Sequence, residues 1–170
     1  MRLFSAKIPT VVDALVRNLV DSGDLEVSDL VEFKSDVESI LREYLRKERE
    51  LTEGAKDLLE ARGLNYSELH RTRRAMAEQQ DFGLGEDAPN WIASQLLQLF
   101  MASQFVEEIY ADDQALRGKI RALLARSMQA DDDLDREVRR HLKHLAEGTE
   151  SFEIEYQKQL DRVRRRHGLS

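Results

Sequence analysis

The sequence predicts an all-α fold: a helical bundle built from two tandem copies of a roughly four-helix unit, related by a pseudo-twofold. Apolar residues recur at helical spacing along most of the 170 residues. Only two prolines and eight glycines interrupt the chain, which limits the number of loops. A shift of 83 positions aligns Phe33 with Leu116 and carries the long apolar stripe of one half onto that of the other. No segment alternates with period two between turn pairs, so essentially no sheet is expected.

Capping residues place the helices of the first half. Pro9 occupies a first-turn position, and Asp29 is the predicted N-cap of a long helix that ends at Gly63. A glycine near the middle of this helix lowers its helix propensity, so a bend is predicted at residues 50–54. A weaker helix is predicted at residues 67–80.

The second half begins after a glycine-containing linker at residues 82–89. Apolar residues then cover nearly every face of residues 91–110, which predicts one central helix. Asp112 or Asp113 is the predicted N-cap of the next helix, and the acidic run at residues 131–133 is predicted to break and recap it. The apolar stripe of the last helix consists of Phe152, Tyr156, Leu160 and Val163.

The duplication divides the chain into an N-terminal helical repeat, residues 1–85, and a C-terminal helical repeat, residues 86–170. Two small domains and one compact domain are both consistent with a chain of this length. The same shift aligns Val37 with Ile120. The alternative is that two amphipathic helices of similar length match some leucines by chance. The preserved order of helix, acidic cap, long stripe and glycine stop favours duplication.

Composition and charge predict a soluble protein of the cytoplasm. There are no cysteines, which excludes disulfides, thiolate metal sites and cysteine nucleophiles and suits a reducing compartment. Residues 1–9 lack the apolar stretch of a signal peptide, and residues 91–110 contain too many polar side chains to span a membrane. The 33 acidic and 26 basic side chains give a net charge of −7, which argues against a general nucleic-acid binder.

No constellation of residues indicates catalysis, so neither an enzyme activity nor a cofactor is expected. A nucleophile elbow and a phosphate-binding Walker loop are both absent. Glu137, His141 and His144 share a helix face at metal-ligand spacing, but their basic neighbours favour a solvated surface over a metal site. The acidic residues at 131–135 lack the glycine and the glutamate of an EF-hand loop, and helix capping accounts for them.

Two arginine clusters are candidate contacts with a nucleic acid or another acidic partner. Each is predicted to lie in the last helix of its repeat. The alternative is that these cations stabilise helix C-termini on a solvated surface, which the lack of interleaved aromatic residues favours. The clusters consist of Arg71, Arg73 and Arg74 in the first repeat and of Arg162, Arg164, Arg165 and Arg166 in the second.

Three aromatic residues, Trp91, Phe100 and Phe105, are candidate apolar contacts with a partner or, alternatively, core residues. Because buried aromatic side chains dominate the energetics of protein cores, the core assignment is favoured. Any part of this helix that is exposed would instead offer an apolar patch to another protein.

Two stretches of the chain carry a resemblance to a known family. They are the opening Met1-Arg2-Leu3 with Lys7-Ile8, and residues 44–51, Tyr-Leu-Arg-Lys-Glu-Arg-Glu-Leu. They resemble a bacterial family of helical proteins called domain of unknown function 507. The resemblance extends over the whole chain and implies a bacterial, cytosolic, helical protein, without any activity, cofactor or catalytic residue.

These observations lead to one functional expectation and one alternative. We expect a non-enzymatic helical adaptor or assembly protein that binds another macromolecule, namely a protein, and has no contact with membranes. The alternative is an RNA- or DNA-binding protein that uses the arginine clusters on the last helix of each repeat.

Overall fold

The computed structural model describes residues 2–146 and 149–168, without the side chain of Asp131. In this part of the chain, α-helices dominate and two short strands form the only sheet. The predicted all-α class is confirmed in this broad sense. In chain order the elements are α1 (Ile8–Val16), β1 (Leu25–Val27), α2 (Leu30–Arg62), α3 (Leu69–Gln79), α4 (Ala88–Ala102), β2 (Val106–Ile109), α5 (Asp113–Arg140) and α6 (Glu150–Arg166).

The caps of the two long helices lie where the sequence predicts them. The side chain of Asp29 accepts a hydrogen bond from the backbone N–H of Glu32 at 3.1 Å, at the start of α2. Asp112 accepts from the N–H of Ala115 at 2.8 Å, at the start of α5. Gly63 ends α2 with a φ of 63°, a left-handed conformation that glycine adopts without a Cβ penalty.

The prediction of essentially no sheet is wrong. β1 and β2 form an antiparallel ribbon in which Leu25 pairs with Ile109 and Glu26 pairs with Glu108. The helix predicted over residues 91–110 ends at Ala102, because Ser103 adopts an extended conformation and its hydroxyl accepts the N–H of Phe105. Residues 106–109 form β2, and their backbone N–H and C=O groups are satisfied by pairing with β1, a strand from the other half of the chain.

The predicted break in α5 is also wrong. The helix continues without interruption through residues 131–133. Side chains one turn apart compensate for the low helix propensity of the aspartates, since Asp132 pairs with Arg136 at 2.8 Å and Gln129 donates to Asp133 at 3.2 Å. α2 is likewise a continuous helix through residues 50–54, where a bend is predicted.

The main hydrophobic core contains residues from both halves of the chain. α1, the first half of α2, α4 and the first half of α5 all contribute to it, and the rings of Phe33 and Phe100 lie 5.5 Å apart at their centroids. A second, smaller core packs Phe4 and the end of α5 against α6, whose predicted apolar stripe is buried. The predicted boundary between residues 85 and 86 therefore separates elements that share one core.

Candidate functional site

A cleft of about 950 Å³ lies between the α2–α3 helix pair and the α5–α6 helix pair. The N-terminal residues 2–6 also line it, together with residues 84–85 of the linker. Its lining is unusually charged: six Arg and Lys side chains face five carboxylates. The cleft therefore carries a net charge of +1 with histidine neutral, in a chain whose net charge is −7.

Asp135 organises the α5 wall of the cleft. Its side chain is only 13% exposed and lies 3.1 Å from Nη1 of Arg2 and 2.9 Å from Nε of Arg139. The hydroxyl of Tyr156, on α6, donates to the same carboxylate. Both guanidinium groups also lie over the ring of Tyr156, at 5.1 Å and 5.7 Å from its centroid. Burial raises the pKa of the Tyr156 hydroxyl above its ordinary value, so Tyr156 stays a hydrogen-bond donor to Asp135.

Glu48 is the acidic group of the opposite wall. It lies on α2 and accepts a long hydrogen bond of 3.5 Å from the hydroxyl of Tyr44. Burial raises the pKa of the Glu48 carboxyl above its ordinary value, while the nearby charges of Arg2 and Arg73 act in the opposite direction. Arg2 thus faces an acidic group on each side of the cleft.

A lysine connects the two helix pairs. Lys56 of α2 lies 3.5 Å from Glu53 on its own helix and 3.8 Å from Glu153 on α6. Its side chain is only 19% exposed, whereas both glutamates are more than half exposed. Lys56–Glu153 is thus an ion pair between the two walls of the cleft.

The fold brings one arginine of each predicted cluster to the cleft. Arg73 of α3 and Arg164 of α6 both line it and are partly buried. Arg166 instead forms an ion pair of 3.1 Å with Glu137, on the surface of α5. The hydrogen bond from His167 to Glu137 lowers the pKa of that carboxyl. The cluster arginines that are exposed are Arg71, Arg74, Arg162, Arg165 and Arg166.

Arg73 is the least satisfied polar side chain of the cleft. Its Nε atom is buried and has no hydrogen-bond partner within the described residues. Unmade hydrogen bonds of buried charged groups are costly, so native proteins rarely leave them unsatisfied. The charge of Arg73 acts on the neighbouring Glu48, but the two side chains form no ion pair in the described part of the chain.

The three aromatic residues that were candidates for partner contacts or for the core differ in burial: one is fully buried and two are partly buried. Phe100 is 2% exposed and belongs to the main core. Trp91 is partly buried, packs beside Tyr44 and Phe82, and donates its indole N–H to the carbonyl of Asp81 at 3.2 Å. Phe105 is also partly buried, in the turn between α4 and β2.

Exposed apolar residues occur on the two segments that meet at Phe105. The backbone N–H of Ser28 donates to the carbonyl of Phe105 at 2.9 Å, which brings the start of α2 next to the end of α4. Two strongly exposed apolar residues lie close to this contact along the chain: Val31, three positions after Ser28, at 75% exposure, and Met101, four positions before Phe105, at 78%. We define the apolar patch as Leu30, Val31, Met101 and Phe105.

The residues that shape the cleft do not stand out in the sequence. Arg2 precedes the first helix, and Glu48 and Asp135 resemble ordinary polar residues of amphipathic helices. Tyr44 and Glu48 are four positions apart on α2, and Asp135 and Arg139 are four positions apart on α5. Only this helical spacing indicates in the sequence that the two residues of each pair are neighbours. That spacing is common on solvated helices, so it could not distinguish a buried pair from a surface pair.

The described residues also show whether a metal ion or a membrane could be bound by grouped ligands or by a spanning helix. Neither residues 137–144 nor any other part of 2–146 and 149–168 holds three or more His, Asp or Glu side chains grouped to bind a metal ion. Among the helices so described, none has the length and apolar character needed to cross a membrane.

Comparison with known proteins supports the resemblance seen in the sequence. A family model described as "Protein of unknown function (DUF507)" matches residues 1–169, nearly the whole chain. A search of curated proteins finds no match.

Proposed function

The chain belongs to the DUF507 family of proteins of unknown function, and we propose that it is a non-enzymatic cytoplasmic adaptor or assembly protein that binds another protein. The observation that carries this proposal is the apolar patch. Val31 and Met101 leave about three quarters of their accessible surface in water, on neighbouring elements of a fold that buries most of its large apolar residues. Clustered apolar exposure of this kind is typical of protein–protein contact sites.

The surroundings of the patch favour a particular partner chemistry. Four exposed carboxylates lie within a few positions of its residues along the chain: Asp29 and Glu32 at the start of α2, and Glu107 and Glu108 on β2. A partner with an apolar centre and a basic rim would complement this surface, and opposite charges also accelerate association. A second copy of the chain fits poorly, because two acidic rims would face each other, and a nucleic acid would be repelled in the same way.

The proposal is tested by capture of partners from host lysate with matched variants. The patch variant carries Val31→Ser and Met101→Ser, and the control carries Leu64→Ser and Ile154→Ser, two residues that are about half exposed elsewhere on the surface. Substitutions at exposed positions usually change stability by less than about 0.5 kcal/mol, so both variants should melt like the wild type. We expect a nuclease-resistant protein that the wild type and the control capture and that the patch variant loses.

Three outcomes contradict the proposal. The first is capture of the same proteins by all forms, which would show that the patch is not used. The second is a loss of capture in both variants, which would indicate nonspecific adhesion. The third is recovery that disappears with nuclease, which would favour the alternative function.

That alternative is a nucleic-acid-binding protein that uses the arginine clusters. It is supported by the exposed positions of Arg71, Arg74, Arg162 and Arg165 on the last helix of each half. It predicts an affinity that falls steeply with salt, and a smaller salt slope when Arg164, Arg165 and Arg166 are neutralised, because each phosphate contact releases counterions. Salt-independent binding, or none, would exclude this function.

We also propose that the two halves are copies of one unit. The support is the repeated order of a helix with proline in its first turn, a strand, a long helix capped by aspartate, and a further helix. A shift of 83 positions also carries the Leu25–Ile109 strand pair onto the Glu108–Glu26 pair, as expected if a pseudo-twofold passes through the ribbon. Residues 8–62 should superimpose on the second half through a rotation near 180°; a different rotation would contradict the duplication.

A further inference from the structure

The end of the α2–α3 helix pair presents an exposed tyrosine. Tyr66 begins a short 3₁₀ turn (Tyr66–Glu68) that leads directly into α3, and it is 48% exposed. Its side chain forms no hydrogen bond and no ring contact within the described residues. The other exposed tyrosine, Tyr110, instead donates its hydroxyl to Glu26 at 2.7 Å. The ring of Tyr66 is therefore free to contact a partner.

The turn before α3 orders the backbone around Tyr66. Gly63 ends α2 in a left-handed conformation, and the side chain of Asn65 accepts a hydrogen bond from the backbone N–H of Ser67 at 3.1 Å. Both features are local to the turn, so they hold the backbone beside Tyr66 while its ring stays exposed. An aromatic side chain on an ordered turn loses less conformational entropy on binding than one on a mobile loop.

Three further exposed side chains continue from Tyr66 along α3. His70 and Arg74 follow Tyr66 at intervals of four residues, a spacing that places side chains along one side of a helix. Arg71 lies three positions before Arg74 and is its neighbour on the helix surface. Arg74 forms no ion pair within the described residues, and Arg71 has one, to Glu68 at 3.8 Å. We define the α3 strip as Tyr66, His70, Arg71 and Arg74.

The α3 strip lies in a basic segment of an acidic chain. Residues 61–75 contain four arginines and one glutamate, which give a net charge of +3 with histidine neutral, whereas the whole chain carries −7. The flanking carboxylates, Glu60 and Glu78, form no ion pair with these arginines in the part of the chain that the structure describes.

The apolar patch and the α3 strip occupy opposite ends of α2. A helix of 33 residues separates its two ends by about 50 Å. Charges in water are screened beyond about 8 Å at physiological ionic strength. The carboxylates at the start of α2 therefore do not repel an anion that binds at the α3 strip, and the net charge of the whole chain does not decide what binds there.

An exposed aromatic ring beside guanidinium groups matches the chemistry of single-stranded nucleic acids. An unpaired base stacks on an aromatic side chain, while arginines contact the phosphates next to it. A base inside a duplex is already stacked and would leave the ring of Tyr66 unused. An acidic peptide would use only the arginines. Single strands are thus the partner that engages every part of the α3 strip.

We propose that the α3 strip binds single-stranded nucleic acid, with one base stacked on Tyr66 and the neighbouring phosphates bound by Arg71 and Arg74. His70 adds a hydrogen-bond donor. This inference goes beyond the protein-binding proposal, which concerns the other end of α2, so either one holds if the other fails. It also narrows the nucleic-acid alternative, because it requires no arginine of α6.

The test is fluorescence anisotropy of labelled probes titrated with the full-length protein. The probes are oligouridylate, oligothymidylate of the same length, a duplex of that length and oligoglutamate. We expect saturable binding of the single strands that weakens steeply with salt, and much weaker binding of the duplex and of oligoglutamate. Tighter binding of oligouridylate would identify the partner as RNA, and tighter binding of oligothymidylate would identify it as single-stranded DNA.

A pair of tyrosine variants makes the test specific to stacking. Tyr66→Leu should weaken binding by about fivefold or more, the usual effect of losing one stacked base. Tyr110→Leu is the matched control, because Tyr110 is a tyrosine of 65% exposure beside the β1–β2 ribbon. It should bind like the wild type.

A pair of arginine variants measures the phosphate contacts. Arg71→Gln combined with Arg74→Gln should reduce the slope of log affinity against log salt by about 1.4, since each phosphate contact to a single strand contributes about 0.7. Arg165→Gln combined with Arg166→Gln, on α6, should leave the slope unchanged. This control separates the α3 strip from the second arginine cluster.

Several results would overturn the proposal. These are the absence of saturable binding of either single strand at low salt, equal weakening by the two tyrosine variants, and binding of the duplex or of oligoglutamate as tight as that of the single strands. Weakening by the α6 variant alone would also overturn it, while leaving the nucleic-acid alternative in place. If melting curves show that Tyr66→Leu unfolds the protein, ultraviolet cross-linking of the wild type to oligouridylate and oligothymidylate decides the question: an adduct at Tyr66 supports the proposal, and adducts only elsewhere contradict it.

Discussion

The guanidinium of Arg2 lies 3.1 Å from the carboxylate of Asp135, and this ion pair attaches the N-terminal segment to α5. Phe4, two residues further on, packs into the smaller core with α6. The first residues of the chain are therefore attached to the α5–α6 wall of the cleft. Loss of the pair should affect both the stability of the fold and the shape of the site.

Replacement of Asp135 tests the contribution of this cluster to stability. Asp135→Asn removes the charge that Arg2, Arg139 and Tyr156 share, and we expect the free energy of unfolding to fall by about 1–3 kcal/mol in urea titrations. Solvent reaches Arg2, which keeps the effect below that of a fully buried pair. Asp133→Asn, two residues away and 64% exposed, should change it by less than about 0.5 kcal/mol. Equal effects of the two variants would contradict the account.

Truncation of Phe100 tests the assignment of α4 to the core. Phe100→Ala should lower the free energy of unfolding by about 3–5 kcal/mol, because it leaves a cavity against Phe33. The adjacent Met101→Ala should have almost no effect, since Met101 is 78% exposed. An unchanged melting temperature for Phe100→Ala would show that α4 is not central.

The buried carboxyl group of Glu48 predicts a pH dependence of stability. Because the pKa of Glu48 is higher in the folded protein than the ordinary value of 4.5, the unfolded chain releases its proton first as the pH rises. The contribution of Glu48 to stability is therefore complete at low pH and is lost as the pH rises through the folded-state pKa. Relative to the wild type, Glu48→Gln should become more stable as the pH is raised from about 4 to 7 in urea titrations.

A second glutamate of α2 provides the control of opposite sign. The hydrogen bond from Arg46 lowers the pKa of Glu43, so its contribution to stability is present at neutral pH and is lost on acidification. Relative to the wild type, Glu43→Gln should gain stability as the pH falls. The same trend with pH in both variants would contradict the electrostatic assignment.

Two glycines should respond in opposite directions to alanine. A Cβ atom on Gly83 would lie 2.5 Å from Cβ of Trp91 and 2.6 Å from the carbonyl oxygen of Asp87, so Gly83→Ala should destabilise the protein by about 1–3 kcal/mol. Gly118 lies inside α5 with open space around it, and Gly118→Ala should stabilise the protein by about 0.5–1 kcal/mol. Both shifts are measured by thermal or urea unfolding. Destabilisation by Gly118→Ala would contradict the packing described for α5.

Local signals in the sequence were sufficient to place most helices. Asp29, Asp112 and Gly63 satisfy the backbone groups of their own helix ends, so their roles follow from residues within one turn. The stripe of α6 is equally local, because its apolar spacing identifies the buried face. These predictions needed no information about distant parts of the chain.

The ribbon and the cleft depend on contacts between distant parts of the chain. Residues 106–109 have an apolar pattern that fits a helix as well as a strand, and only their pairing with Leu25 and its neighbours decides for the strand. Asp135 is buried because Arg2 and Tyr156 of α6 contact it, and Glu48 lines the cleft because the fold places the N-terminal segment beside α2; no local pattern indicates either position. The exposure of Met101 is a similar case, since it depends on where α4 ends.

The most direct test of the protein-binding proposal is site-specific photo-crosslinking in living host cells. A photoreactive amino acid is placed at Met101, in the apolar patch, and in a separate strain at Ile154, an exposed apolar position on α6. We expect a discrete adduct with one other protein at position 101, absent at position 154 and reduced by Val31→Ser. No protein adduct at position 101, or the same adducts at both positions, would contradict it.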